Sequence, residues 1–285
     1  MTEHEKDREA RLRQVRQGYE ALLQRSRQNP VTATAVCCGY TREQVEGLPP
    51  EAVAGSFGCG NPLKLSAVGE GQTVLDIGSG AGIDCFLAAG KVGPGGRVIG
   101  LDVTPAMIEQ AAATAAERGY ANVEFRLGAA DRMPVDDASV DWIISNCVIN
   151  LAPDKPAVFR EMVRVLKPGG RVAISDIVLT GSLPPEIRTS AAAWIGCLAG
   201  AIDQEEYLEG LRRAGLEEVE VVSRFAYDAT GVLSLFGEGA EKPSCGCGCS
   251  CAPRAPQDRS LTLLAGQLAG KVWSADIRAV KPLQK

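Results

Sequence analysis

The stretch from Val74 to Gly82 constrains the fold more than any other part of the chain. It is an apolar run rich in β-branched residues that ends in three glycines at alternate positions, Gly78, Gly80 and Gly82. The residues that follow, 83–92, are amphipathic, so the pattern predicts a buried strand, a tight turn and a helix. Glycine lets the backbone turn sharply and approach a ligand closely, and the start of a helix offers unpaired N–H groups. The stretch predicts the opening of a nucleotide-binding βαβ unit, although a glycine-rich turn without a ligand fits it equally well.

Acidic residues at two later strand ends favour the ligand-binding alternative. The second predicted strand, 97–101, is followed by Asp102, where a carboxylate can accept both hydroxyls of a ribose. Asp131 comes soon after the third predicted strand, 123–127. The glycines alternate as G-x-G-x-G and lack the G-x-G-x-x-G spacing of a dinucleotide pyrophosphate clamp.

Apolar runs alternate with amphipathic segments along most of the chain and predict an α/β fold. The predicted strands are 73–77, 97–101, 123–127, 140–145, 171–177, 217–223 and 272–280. The predicted helices are 83–92, 105–118, 155–165, 185–200 and 204–214, with a short one at 41–47 and an amphipathic N-terminal one carrying Leu12, Val15, Tyr19, Leu22 and Leu23. Thr104 and Pro105 predict a side-chain-capped helix start. Seven strands with interleaved helices predict a doubly wound, Rossmann-like sheet, which binds ligands at the carboxyl ends of its strands.

Charge and histidine content argue against several classes of function. A net charge of −5 gives no electrostatic footprint for nucleic acid or an anionic membrane. The first 28 residues carry charges of both signs, unlike a secretory signal, and the longest nearly apolar stretch, 191–202, is too short to span a bilayer. We therefore expect a cytoplasmic protein with a small-molecule substrate. The only histidine is His4, which nearly excludes Ser–His and Cys–His triads and imidazole zinc sites.

The ten cysteines are the remaining chemical signal. In a reducing compartment, clustered thiols more often indicate metal binding or catalysis than stable disulfides. Cys59 lies in a glycine-dense loop, Cys147 follows the fourth predicted strand, and Cys197 is expected late in helix 185–200. Taken singly, Cys147 and Cys197 are better explained as small buried hydrophobes, as is Cys85 inside the first helix of the sheet.

Several motifs in residues 71–177 together resemble the class I S-adenosylmethionine-dependent methyltransferases. They are Asp76 with its glycine turn, 102–107 (Asp-Val-Thr-Pro-Ala-Met), 128–131 (Gly-Ala-Ala-Asp) and 165–170 (Val-Leu-Lys-Pro-Gly-Gly). The resemblance implies that Asp102 holds the ribose hydroxyls, Asp131 the adenine amino group, and that Met107 packs on the adenine. The implied cofactor-binding set is Asp76, Gly78, Ser79, Gly80, Gly82, Asp102, Val103, Met107, Gly128, Ala130, Asp131 and Asn146.

Three cysteine motifs narrow the resemblance to the arsenite S-adenosylmethionine methyltransferases. They are Gly-Cys-Gly-Asn-Pro at Cys59, Ser-Asn-Cys-Val at Cys147 and Gly-Cys-Leu-Ala-Gly-Ala at Cys197. The resemblance implies that these cysteines hold trivalent arsenic, arsenite or methylarsenite, and that an upstream cysteine takes part in thiol–disulfide chemistry with Cys59. Cys37 and Cys38 compete for that last part, with Cys38 slightly preferred, and a thiol reductant such as thioredoxin or glutathione is the implied partner.

The implied chemistry agrees with the scarcity of histidine. Trivalent arsenic is soft and prefers thiolates, and three sulfur ligands leave its lone pair as the nucleophile, so no general base is required. We expect a helical arm over 1–50, a cofactor-binding domain over 51–180, and an arsenic-site cover with the C-terminal region over 181–285. The Cys-rich loop 237–257, with Cys245, Cys247, Cys249 and Cys251, is extra to that pattern.

Two alternatives remain open at this stage. A quinone- or sterol-type C- or O-methyltransferase shares the whole cofactor half, but it gives no reason for cysteines in three substrate-side loops. A non-catalytic metalloid-binding protein is favoured by the Cys-rich loop and disfavoured by the complete cofactor motifs.

Overall fold

The computed structural model describes residues 2–28, 39–236 and 259–283, and it contains one seven-stranded sheet. The strands are β1 (Thr73–Ile77), β2 (Arg97–Asp102), β3 (Val123–Leu127), β4 (Val140–Asn146), β5 (Leu166–Leu179), β6 (Glu217–Ala226) and β7 (Val272–Val280). Their order is β3-β2-β1-β4-β5-β7-β6. Strands β1 to β5 pair in parallel, whereas β7 pairs antiparallel to both β5 and β6. The predicted doubly wound α/β fold is confirmed.

The helices of the described residues pack around this sheet. They are α1 (Glu3–Gln28), α2 (Arg42–Glu46), α3 (Pro50–Ala54), α4 (Ile83–Val92), α5 (Pro105–Arg118), α6 (Lys155–Val165), α7 (Pro185–Arg188), α8 (Ala191–Ile195), α9 (Gln204–Arg213), α10 (Ala229–Ser234) and α11 (Arg259–Leu268). Two short 3₁₀ turns lie at Pro62–Leu65 and Ile149–Leu151. Among the described helices, none combines the length and apolarity that a membrane crossing requires.

The core lies on the two faces of the central strands. Leu75 and Ile77 of β1 and Ile143 of β4 are fully buried, as expected for strands covered on both faces. On one face, Phe159 of α6 packs against Tyr207 of α9 with 5.4 Å between ring centroids. Burying each such side chain contributes about 1.5–3 kcal/mol, so the sheet is a firm platform for the loops at its edge.

Strand order reverses between β1 and β4, and this reversal positions the ligand site. The crossovers from β1 lead to β2 and β3 on one side, while β4 and β5 lie on the other. The loops after β1 and β4 therefore diverge and leave a crevice at the carboxyl edge of the sheet. The glycine turn after β1 and the Cys147 turn after β4 both open onto that crevice.

The predicted helix over 185–200 is wrong in extent. The segment forms the two short helices α7 and α8, with the Ser190 side chain accepting a hydrogen bond from Ala193 N at the start of α8. Helix α8 ends at Ile195, and the next residue, Gly196, packs so closely against the Leu235 carbonyl that a Cβ there would collide with it. Cys197 therefore lies after the helix rather than late within it.

Helix α5 begins at the predicted residue but without the predicted side-chain cap. Thr104 precedes it, and its N–H donates to the Asp102 carboxylate at 2.8 Å. Cys37, Cys38 and the four cysteines of the loop 237–257 lie outside the described residues, so their predicted roles stay predictions.

Candidate active site

A cleft that is open to solvent lies at the carboxyl ends of β1, β2 and β4. Most of the cofactor-binding set predicted from the sequence lines it. The lining members are Gly78, Ser79, Gly80, Asp102, Val103, Met107, Gly128, Ala130, Asp131 and Asn146. Asp76 and Gly82 lie behind the lining: the Asp76 carboxylate accepts a hydrogen bond from the Cys85 thiol at 3.3 Å, and Gly82 packs against Phe86 and Phe125. Burial raises the pKa of Asp76 well above its ordinary value.

Backbone hydrogen bonds fix the glycine turn that follows β1. Gly78 N and Ser79 N both donate to Leu101 O, at 2.7 and 3.0 Å. Gly78 has a φ of 77°, and a Cβ there would collide with Val148, so this close approach requires glycine. Ser79 Oγ is buried and has no hydrogen-bond partner among the described residues. This hydroxyl is therefore available to pair with a polar ligand in the cleft.

Asp102 connects the turn to the next loop while keeping acceptor capacity. One carboxylate oxygen accepts from Gly80 N at 3.0 Å and the other from Thr104 N at 2.8 Å. Burial raises the pKa of Asp102, and these two backbone bonds act in the opposite direction. A carboxylate has about four acceptor positions, so the remaining ones can take two ribose hydroxyls. The residues of the cleft thus fit the nucleoside end of S-adenosylmethionine.

Helix α1 covers the far end of the cleft. Arg8 forms a bidentate ion pair with Asp131, with N···O distances of 2.5 and 2.6 Å, and the Asp131 side chain is only 4% exposed. This hydrogen bonding raises the pKa of Arg8. Arg16 Nε donates to Val103 O at 3.1 Å. The N-terminal helix therefore contacts two members of the predicted cofactor set, which the sequence analysis did not anticipate.

An acid–amide network at the near end of the cleft was also missed. The Tyr40 hydroxyl donates to the Asp84 carboxylate, at 2.9 and 3.0 Å to its two oxygens, and Asn146 Nδ2 donates to the Tyr40 oxygen at 3.0 Å. Burial raises the pKa of Asp84 to about 6, while the bonds from Tyr40 and Asn146 lower it. An acid in the first turn of the helix after a glycine turn was the available signal for Asp84.

The three cysteines predicted as a set meet at this edge of the sheet. Cys59 and Cys147 are joined by a disulfide with 5.8 Å between their Cα atoms, and Cys197 Sγ donates to Cys147 O at 2.7 Å. Asn146 Oδ1 accepts from Cys59 N and Gly60 N, at 3.0 and 3.1 Å, and so fixes the Cys59 loop. The sequence predicted the grouping but not this disulfide. A disulfide has no thiolate to offer, so reduction must precede any binding of a soft ion by all three sulfurs.

A buried acid lies behind the cysteine group. Asp176 is fully buried on β5 and accepts from Asn150 Nδ2 at 2.9 Å, Ile177 N at 2.9 Å and the Tyr207 hydroxyl at 3.2 Å. Burial raises its pKa to about 6, and nearby Lys155 acts in the opposite direction. Burial, and then the charge of Asp176, raise the pKa of the Cys197 thiol, which is therefore protonated in the ligand-free protein.

The chain is similar to proteins of known family. The model of a methyltransferase domain family matches residues 69–215. The crystal structure of an arsenic(III) S-adenosylmethionine methyltransferase from Chlamydomonas reinhardtii superposes with a TM-score of 0.63 and 30% sequence identity, over 89% of this chain and 74% of that one. The chain belongs to the arsenic(III) S-adenosylmethionine methyltransferase family. The matched residues include Cys147, Cys197 and most of the cleft lining, whereas Cys59 and the part of the lining that α1 contributes precede them.

Curated relatives of the chain point to the same family. The arsenite methyltransferase of Halobacterium salinarum is 49% identical over 186 residues, which are 65% of this chain and 47% of that protein. The human arsenite methyltransferase is 36% identical over 176 residues, 59% of this chain and 46% of that protein. The matched part thus spans about half the length of these two relatives.

Proposed function

We propose that this chain transfers a methyl group from S-adenosylmethionine to trivalent arsenic held by the thiolates of Cys59, Cys147 and Cys197. The observation that carries the proposal is the meeting of these three residues, from three separate loops, beside the cleft: Cys59 is bonded to Cys147, and Cys197 Sγ lies 2.7 Å from Cys147 O. The family membership supports it.

S-adenosylmethionine, when bound, supplies a methyl group already activated by its sulfonium. The residues that would hold it are those that line the cleft. Asp102 would accept the ribose hydroxyls, Asp131 the adenine amino group, and the buried Met107 would pack on the adenine. The unpaired Ser79 hydroxyl and the glycine turn would hold the methionine end, in front of Asp76.

The cysteines would bind arsenic only after reduction. Two electrons and two protons convert the Cys59–Cys147 disulfide to two thiols, which then stand beside the Cys197 thiol. Each thiol loses its proton to an arsenic-bound hydroxide, so three As–S bonds form, three As–O bonds break, and three waters leave. The arsenic keeps its lone pair and attacks the methyl carbon in line with the leaving sulfur, and no general base is needed.

The same requirement implies a thiol reductant and a reducing compartment. We propose that thioredoxin or glutathione supplies the electrons and that the protein works in the cytoplasm, where such disulfides are transient. After methyl transfer, Cys38 or Cys37 would form a disulfide with Cys59. The attacking thiol gives up its proton, the As–S bond to Cys59 breaks, and its electron pair returns to the arsenic, which is thereby trivalent again. Mass spectrometry after one turnover without reductant should detect a peptide linking one of them to Cys59.

Methyl transfer from labelled S-adenosylmethionine to arsenite, with a thiol reductant present, tests the proposal. We expect labelled methylarsenic products from the wild type and none from Cys59→Ser, Cys147→Ser or Cys197→Ser, because a hydroxyl is a harder and poorer ligand for arsenic. The matched control converts Cys245, Cys247, Cys249 and Cys251 to serine, and we expect it to retain the maximal rate.

Three results would contradict the proposal. Normal arsenite methylation by all three single variants would show that these cysteines do not hold the arsenic. Labelling of a quinone acceptor instead of arsenite would favour a quinone-type methyltransferase. Arsenite binding without any methyl transfer would favour a metalloid-binding protein.

A further inference from the structure

Tyr19 of α1 contacts the cysteine group and the cleft at the same time. Its hydroxyl donates to Ile195 O at 3.3 Å and lies 3.8 Å from Cys197 Sγ. Its ring lines the cleft and packs edge-on against Phe57, with 6.1 Å between the ring centroids. Tyr19 precedes the residues 69–215 that the family model matches, so this contact is supplied from outside the methyltransferase domain.

Helix α1 fixes the position of this hydroxyl through contacts on both sides of the site. Gly18 lies so close to Ile195 that an added Cβ would come within 2.5 Å of that side chain. The Arg11 guanidinium stacks over the Trp194 ring at 3.9 Å. At the other side, Arg8 is paired with Asp131. A helix anchored at these points holds the Tyr19 oxygen where it is.

Two protons decide the hydrogen bonding between Cys197 and Tyr19. The Cys197 thiol has one proton, which it donates to Cys147 O, and the Tyr19 hydroxyl has one, which it donates to Ile195 O. When an As–S bond forms at Cys197, the S–H bond breaks and its proton leaves with an arsenic-bound hydroxide as water. The Cys197 sulfur can then only accept a hydrogen bond.

We propose that Tyr19 is a positioning residue that donates its hydroxyl proton in a hydrogen bond to the Cys197 sulfur once that sulfur carries arsenic. This inference rests on the proposed function. The hydroxyl exchanges its acceptor from Ile195 O to Cys197 Sγ, and only a small movement is needed because both lie within 3.8 Å. Burial raises the pKa of Tyr19, so its proton is retained in this role. The bond would fix one arm of the thiolate site relative to the cleft from which the methyl group comes.

Two substitutions at Tyr19 separate the hydroxyl from the ring. Tyr19→Phe keeps the packing on Phe57 and removes only the hydroxyl, whereas Tyr19→Leu removes the ring as well. For Tyr19→Phe we expect arsenite affinity to fall roughly three- to tenfold, because the hydrogen bond to a thiolate sulfur is stronger than the bond to Ile195 O that it replaces. S-adenosylmethionine affinity should stay unchanged. For Tyr19→Leu we expect both affinities to fall.

Arsenite binding is measured on the reduced full-length protein by equilibrium filtration and elemental mass spectrometry, without cofactor. S-adenosylmethionine binding is measured by calorimetry without arsenite. Steady-state kinetics of Tyr19→Phe should show a higher KM for arsenite at an unchanged KM for the cofactor. Tyr120→Phe is the matched control, because its ring packs on Phe86, with 4.6 Å between centroids, away from the cysteines. We expect it to match the wild type in both assays.

The proposal is overturned if Tyr19→Phe binds arsenite as tightly as the wild type. It is also overturned if the arsenite and cofactor affinities of Tyr19→Phe fall in parallel, since that result indicates a purely structural role. Failure of the proposed function is distinguishable, because it concerns the wild type. If the wild type binds arsenite without methylating it, the proposed activity is refuted, and the binding assay still tests the role of Tyr19. If the wild type binds no arsenite, both the proposed activity and the role of Tyr19 are refuted.

Discussion

The Cys197 sulfur lies 2.7 Å from the main-chain oxygen of Cys147, and both residues have a left-handed backbone conformation. Their φ angles are 62° and 58°, a region that costs a non-glycine residue about 1–2 kcal/mol. Cys147 follows β4 directly, and Cys197 comes two residues after α8 ends. Such strain persists only where the surrounding structure imposes it, and it is concentrated at functional sites. The two turns place the Cys197 sulfur beside the backbone of Cys147.

The strained backbone at Cys197 predicts that a glycine variant is more stable than an alanine variant, the reverse of the usual order. Alanine is ordinarily more stable than glycine in an ordered segment, but at a φ of 62° glycine avoids the penalty. We therefore expect Cys197→Gly to be more stable than Cys197→Ala by about 1 kcal/mol. The control pair is at Cys85, inside α4, where Cys85→Ala should exceed Cys85→Gly by about 1 kcal/mol. Guanidinium unfolding under reducing conditions measures all four, and the same order at both positions would show that Cys197 is unstrained.

Removal of the Asp102 carboxylate should weaken cofactor binding selectively. A charge-assisted hydrogen bond is worth about 1.5–3 kcal/mol, so Asp102→Ala should lower S-adenosylmethionine affinity at least about tenfold. Arsenite binding by the reduced protein should survive. Asp141→Ala is the control, since Asp141 is near the start of β4, at the opposite edge of the sheet, where it pairs with Lys167. Calorimetry that finds the same cofactor affinity in Asp102→Ala and wild type would reject the ribose assignment.

The elements with strong local signals could be predicted from the sequence. Strand β1, helix α4, helix α5, strand β3 and helix α6 have the predicted bounds. Glycine turns and the Thr104-Pro105 start act within a few residues, so they leave a pattern in the chain. The grouping of Cys59, Cys147 and Cys197 was instead implied by the resemblance of their motifs to those of the arsenite methyltransferases.

The features that sequence reasoning missed depend on contacts between distant segments. Arg8 and Asp131 are separated by 123 positions, and the Cys59–Cys147 disulfide by 88. Helix α8 ends next to a contact between Gly196 and the Leu235 carbonyl, which no local propensity encodes. The Tyr40–Asp84–Asn146 network likewise joins three separate elements. Such pairings depend on how distant segments of the chain pack together in the complete fold.

The buried Asp176 predicts a pH-dependent stability. Its native-state pKa is raised to about 6, so the native state holds this proton more tightly than the unfolded chain does. That stabilisation is complete below the unfolded-state value near pH 4 and is lost as the pH rises through about 6. Relative to Asp176→Asn, which does not titrate, the wild type should therefore lose up to about 3 kcal/mol between about pH 4 and about pH 7.

Chemical unfolding of both proteins across that pH range, with reductant present, measures the difference. Asp136→Asn, at an exposed position, controls for the loss of a surface carboxylate. A constant difference between the wild type and Asp176→Asn at every pH would mean that Asp176 has an ordinary pKa in the folded protein.

The Arg8–Asp131 ion pair should decide how firmly α1 covers the cleft. Asp131 is almost fully buried, so Arg8→Ala leaves a carboxylate without its partner, and removing one member of a buried pair is strongly destabilising. Arg8 itself is 21% exposed, which moderates the effect, and we expect a local loss of about 1.5 kcal/mol, equivalent to roughly tenfold faster amide exchange. The effect should be confined to the first half of α1, because Tyr19 and Leu23 anchor the second half.

S-adenosylmethionine should also dissociate faster from Arg8→Ala, since the helix over its adenine end opens more often. Hydrogen exchange and stopped-flow release measure the two effects. Arg13→Ala, at an exposed position on the same helix, should leave both rates unchanged. If Arg8→Ala exchanges and releases at the wild-type rates, the ion pair does not hold the helix over the cleft.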